Sequence, residues 1–199
     1  MNQTLLKALL TPALLLAVAC DQMPTDPAPF EADEAIAFTQ SPTFRLTTTS
    51  GLTALRWSHP LDHDVTVSNW FGSGRRVWKM ESGLALGVPS GALDYEEEIT
   101  VTTRAGTDVA FEFGPHGLEF NKPVTVRILV SALENAAELE AIADASDASR
   151  VPLGSIQAVY YAEQGGELIE VIESFPVTLI NGTWLDFQIE HFSGYALAS

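Results

Sequence analysis

At 199 residues, with an ordinary hydrophobic share of 46%, the chain has room for one domain, or for one domain and a tether. Its 26 acidic residues against 10 basic ones give a formal charge of −16, and no Lys/Arg-rich stripe offsets a surface that repels phosphate backbones, so nucleic acid is not an expected partner. A single cysteine, Cys20, excludes a disulfide within the chain and leaves the fold to its apolar core.

Residues 1–19 read as a cleavable signal. Lys7 is their only charge, and residues 8–19 are apolar or small apart from Thr11 and Pro12. That run is the length of a signal-peptide core and shorter than the ~20 residues a membrane span needs. It ends in Leu16-Ala17-Val18-Ala19-Cys20. Small residues ahead of a cysteine resemble the lipobox of bacterial lipoproteins, in which cleavage falls just before the cysteine and its thiol is acylated. Cys20 is therefore expected to be the lipidated N-terminus that anchors the mature chain in the cell envelope, with inner and outer membrane both open. Lipidation also removes a free thiol that export would expose to oxidation. Residues 20–37 follow with Pro24, Pro27 and Pro29 among Asp21, Asp26, Glu31, Asp33 and Glu34. Proline stiffens such a segment and like charges extend it, so it is expected to be a disordered tether.

Residues 38–199 are expected to form an antiparallel β-sandwich with one short inserted helix. Residues 98–103 (EITVTT) and 108–113 (DVAFEF) alternate apolar and polar side chains, the period of a half-buried strand. Arg104-Ala105-Gly106-Thr107 between them reads as a hairpin turn. Residues 122–130 make a further strand, with Pro123 placed at its start or at an edge, where a missing N–H does least harm. Residues 133–148 are rich in Ala, Glu and Asp; they predict a short helix, opened by a possible capping box of Ser131 and Glu134. Residues 156–163, 167–173, 176–180 and 183–190 read as four more strands. Gly165-Gly166 and Asn181-Gly182 supply tight turns, the latter suited to a two-residue hairpin. Turn signals at this short spacing indicate a sandwich.

Three blocks carry a resemblance. Leu86-Gly87-Val88-Pro89-Ser90-Gly91-Ala92-Leu93 comes first, then Phe113-Gly114-Pro115-His116-Gly117-Leu118-Glu119-Phe120-Asn121-Lys122-Pro123-Val124, then His191-Phe192-Ser193-Gly194-Tyr195-Ala196-Leu197. In this order they resemble the ZU-five domain, named for zonula occludens proteins and netrin receptors and found also in ankyrins and bacterial envelope proteins. The resemblance covers about two thirds of the chain. It implies a β-sandwich used for protein–protein contact, without a cofactor. Where relatives often have a Gly-Pro-x-Gly-Gly turn, this chain has Phe71-Gly72-Ser73-Gly74-Arg75-Arg76. Physically, Gly114, Pro115, His116 and Gly117 suit a turn, with Leu118 and Phe120 dropping into the core.

The resemblance also implies one reaction. In a few eukaryotic relatives a His-Phe-Ser triplet is where the chain cleaves itself, the serine oxygen attacking the preceding carbonyl. Ser193 would be the nucleophile and His191 its base, and the bond broken would be Phe192–Ser193. The structural alternative is that Phe192 and Tyr195 pack the last strand while His191 and Ser193 satisfy backbone groups. His59, Asp62, His63 and Asp64 form a metal-ligand inventory, but Pro60 and the turn-like composition place them in a loop without a further ligand cluster, so no metal site is assigned. Trp57, Trp70, Phe71 and Trp78 gather near Arg75 and Arg76. Trp70, Phe71, Arg75, Arg76 and Trp78 would suit a binding patch if exposed, since Trp and Arg are typical contact anchors; core packing is the alternative. The expected function is thus a non-enzymatic, membrane-tethered module that binds an envelope or extracellular protein. Its rival is a carbohydrate-binding envelope module. Oligomeric state is left open.

Overall fold

The computed structural model describes residues 51–199 apart from 165 and 166. The expected signal, Cys20, the tether, residues 38–50 and the Gly165-Gly166 turn lie outside the described residues. The strands are β1 (Arg56–Leu61), β2 (Val65–Phe71), β3 (Arg76–Lys79), β4 (Leu84–Val88), β5 (Glu97–Thr103), β6 (Gly106–Asp108), β7 (Ala110–Gly114), β8 (Glu119–Leu129), β9 (Arg150–Gln164), β10 (Glu167–Ile180), β11 (Trp184–His191) and β12 (Gly194–Ala198). Among the described residues one α-helix, α1 (Ala136–Asp144), sits between β8 and β9.

Ten strands form one antiparallel sheet in the order β2-β5-β7-β12-β9-β10-β11-β8-β4-β3, and β1 pairs with β6 in a separate ribbon. The sheet curls until its end strands approach each other, with the Phe71 and Trp78 rings 5.9 Å apart. The fold is therefore all-β with a short helix, and the sheet is nearly closed and barrel-like. The two layers expected of a sandwich are parts of one ladder, because β9 and β10 are long enough to belong to both. β9 takes β12 on one side while β10 takes β11 near its end. Between them the register jumps from Pro176↔Gln157 to Val177↔Leu153, leaving residues 154–156 without opposing partners. Such a bulge bends and twists a strand, and here it falls where the sheet turns from one layer to the other.

Inside lies one continuous core. Phe71, Phe111, Phe113, Phe187, Phe192 and Tyr195 are among its aromatic members, each at most 2% exposed. Strand β12 is buried on both faces: Tyr195 and Leu197 enter this core, while Ala196 and Ala198 join a small second cluster with Ala110, Val159 and Tyr161.

Several expected boundaries move. Residues 104–107 are more than a turn, since Gly106–Asp108 leave to pair with β1 before β7 returns against β5. Residues 167–173 and 176–180 belong to the one strand β10, whose irregularities replace the expected break. Pro123 sits inside β8, not at its start. It lies in the stretch where the ladder with β11 shifts register between Ile189↔Val124 and His191↔Glu119, and there its missing N–H costs no ladder bond. The helix begins at Ala136 without a side-chain cap. The Ser131–Glu134 box is pre-empted: Glu134 N–H donates to the Arg56 carbonyl at 2.9 Å, and Leu133 bridges to Trp57. Both ties hold the chain extended there. Asn181 and Gly182 take the expected positive φ, 49° and 65°, and Thr183 N–H donates to the Ile180 carbonyl at 2.9 Å, but the ladder closes at Ile180↔Trp184, so the loop has three residues where two were expected.

Candidate functional site

The three blocks that carry the resemblance converge in space. Phe113 stacks on Phe192 with centroids 5.2 Å apart, and Phe120 meets Phe192 edge-on at 4.7 Å. Gly117 N–H donates to the Phe192 carbonyl, Phe192 N–H to Leu118, and Phe113 N–H to Ser193. Asn121 N–H donates to the Ala92 carbonyl, which ties in the first block. Gly114 precedes a cis peptide bond to Pro115, and Gly117 has a φ of +76°. A Cβ on Gly114 would lie 2.4 Å from Thr100 Oγ1, so a side chain there forces Thr100 to move. His116 projects into solvent. These residues build the meeting of β7, β8 and β11.

At the His-Phe-Ser triplet the geometry serves packing. Tyr195 is fully buried, and its hydroxyl donates to the His191 carbonyl at 2.8 Å and lies 3.4 Å from His191 Nδ1. Burial, reinforced by Tyr160 and Glu173, pushes the Tyr195 phenol well above its ordinary value, so it stays a neutral donor. The His191 ring stands edge-on to Tyr160 at 5.2 Å. Among the described residues His191 makes no hydrogen bond to the Ser193 hydroxyl.

The expected patch divides. Phe71 is 1% exposed and belongs to the core, and Trp78 is half-buried against it. Trp57 is buried on β1, bridged to Leu133. Trp70 is 53% exposed and Val77, which sequence reasoning missed, is 48% exposed. Both lie on the strands that end the sheet. Arg76 ties these strands together: it donates to the Trp70 carbonyl and to Asn69 Oδ1, and its guanidinium lies 5.1 Å from the Phe71 ring centre. Arg75 and Lys79 point outward. Beyond this clasp β2 and β3 leave a groove of about 300 Å³, walled by Val65, Val67, Trp78, Lys79 and Met80. Strict alternation in β2, Val65 and Val67 inward with Thr66, Ser68 and Trp70 outward, was the available signal for one wall.

A second concavity of about 540 Å³ lies on the outer face of β8, β11 and β10, where Thr125, Arg127, Phe175, Asp186 and Gln188 line it. Asp186 Oδ2 accepts from Arg127 Nε at 3.2 Å and pairs with its terminal nitrogen at 3.1 Å, while Oδ1 is buried without a partner. Burial pushes the Asp186 carboxyl above its usual value against the pull of Arg127 and Arg150.

The metal-ligand inventory disperses. His59 lies within β1 and not in a loop, with Nδ1 3.0 Å from Ser58 Oγ. Asp64 is committed to Arg104 at 3.3 Å and to the Ala105 N–H at 2.7 Å. Among the described residues no three His, Cys, Asp or Glu side chains gather as a metal site, and no helix is long and apolar enough to cross a membrane. In comparisons with known proteins, no family model and no curated sequence matches the chain.

Proposed function

We propose that this chain is a lipid-anchored envelope protein whose β domain, a bacterial relative of the ZU-five domains, binds another envelope or extracellular protein through the two end strands β2 and β3. The observation that carries the reading is the exposure of Trp70 and Val77 side by side with Arg75 and Arg76 on the strands that end the sheet. A half-exposed Trp beside Arg has the composition of a contact anchor, and edge strands are where sheets meet partners. A photo-crosslinker in place of Val77, in the lipoprotein expressed in its own membrane, tests this. Capture of a protein by this position, lost on Trp70→Ala, supports the reading; a yield insensitive to Trp70→Ala removes it. Intact mass of the membrane form tests the anchor. The expected species begins at acylated Cys20 and ends at Ser199, and an unmodified Cys20 refutes it.

The carbohydrate reading has its own observation, the groove around Arg127, Asp186, Gln188 and Phe175. It offers planar hydrogen-bonding groups of both signs and one aromatic wall, the kind of lining that small-molecule sites use to fix orientation. Binding of envelope glycan fragments lost on Gln188→Ala, and unaffected by Trp70→Ala, would select it.

A further inference from the structure

Strands β2 and β3 end the sheet without pairing to each other, and the gap between them has a chemistry of its own. Among the described residues β3 pairs only with β4. Met80 N–H donates to the Leu84 carbonyl at 2.8 Å. Antiparallel pairs alternate between bonded and non-bonded, so Trp78 and Arg76 also turn their backbone groups toward β4. Val77 and Lys79 therefore turn their N–H and C=O groups to the open side. Inward of that edge lies the groove, with Val65, Val67, Trp78 and Met80 as its apolar wall and Lys79, Glu81, Ser82 and Thr103 as its polar one. Outward of it, the Val77 side chain is nearly half exposed.

Charge distinguishes the gap from the rest of the surface. Three of the chain's ten basic residues, Arg75, Arg76 and Lys79, fall within five positions here, in a protein of net charge −16. Among the described residues none of them pairs with a carboxylate, whereas Arg104 and Arg127 do. Arg76 donates to neutral groups only. Glu81 lines the same groove, and Glu97 and Glu98 stand opposite Phe71 and Trp70 on β5, where Glu98 accepts from the Ser68 hydroxyl at 2.8 Å. The edge thus holds three cations outside any described ion pair, beside unpaired backbone and a slot with one apolar wall.

We infer that this gap receives an extended, acidic segment of a partner protein, which adds a strand to β3. The proposal rests on the interaction reading above and gives its partner a chemistry. The added strand's backbone meets Val77 and Lys79, alternate apolar side chains enter the slot between Val67 and Trp78, and its outward carboxylates face Arg75 and Lys79. Strand addition draws affinity from main-chain hydrogen bonds and specificity from such alternate pockets, and opposite charge speeds and orients the encounter. A basic segment would be repelled, and a helix offers no free backbone to pair.

The test uses the full lipoprotein in detergent, with two synthetic peptides of equal length, an Asp-Val repeat and a Lys-Val repeat, followed by calorimetry and by Trp fluorescence. Expected is saturable binding of the Asp-Val repeat alone. It weakens by about tenfold or more in Arg75→Glu/Lys79→Glu, because two attractive charge contacts become repulsive, and it is lost in Val77→Pro, which removes an edge N–H that the fold itself leaves unused. Val77→Thr keeps the N–H and is expected to bind as the parent does. Equal binding of both peptides, or of neither, overturns the proposal. So does an Arg75→Glu/Lys79→Glu protein that binds as the parent does, which would assign the cations only to blunting the edge. If the cross-link at position 77 still depends on Trp70 while Arg75→Glu/Lys79→Glu leaves it unchanged, the strand proposal falls and the interaction reading stands.

Discussion

Phe192 joins the resemblance to the packing, and its truncation separates a structural triplet from a reactive one. The ring is 1% exposed and lies between Phe113, stacked at 5.2 Å, and Phe120, edge-on at 4.7 Å. Phe→Ala in a core costs ~3–5 kcal/mol through lost transfer and a residual cavity. Two aromatic partners, each worth ~0.5–1.5 kcal/mol beyond area, put this site in the upper half of that range. With a urea slope of ~2 kcal/mol/M, a loss of ~4 kcal/mol moves the midpoint down by ~2 M. The midpoint is read by near-ultraviolet circular dichroism, with Phe192→Leu as the volume-sparing control expected to lose under half as much. A loss below ~1.5 kcal/mol for Phe192→Ala, at or below the smaller aromatic losses of well-packed cores, would refute the claim that the triplet is a packing element. Intact mass of the same samples adds an independent reading: the parent chain is expected to run through Ser199, and recovery of a 193–199 peptide would make Ser193 and His191 a working pair.

A Cβ on Gly194 would sit 2.9 Å from two ring carbons of Tyr161, so Gly194→Ala is expected to cost ~1–3 kcal/mol by overpacking. Tyr161→Ala in the same chain should recover part of that loss, and strict additivity in the double-mutant cycle would contradict the contact. Asp186 has its carboxyl pushed up by burial. Its folded form therefore holds a proton at pH values where the unfolded form has lost one, and ionising it costs stability as pH rises from the ordinary carboxylate range toward neutrality. Asp186→Asn is expected to gain on the parent as pH rises through that window and to converge with it below pH ~4; a difference that shrinks on raising pH would mean that Arg127 outweighs desolvation.

The sequence by itself determined the all-β class, because alternation of period two in stretches such as 98–103 and the left-handed Asn181-Gly182 turn are local facts that no packing needed to supply. It also located the residues that meet around Phe192, since glycines, a proline and buried aromatics mark chain reversals over a core. Tertiary structure alone decided which aromatics stay outside. Trp70 and Phe71 are neighbours in sequence and in strand type, and only the direction of the pleat sends one to solvent and the other inward. It likewise decided that the sheet stays open at β2 and β3. That gap depends on a count of strands and on a bulge at residues 154–156, properties of pairing between segments far apart in the chain, which no local pattern encodes.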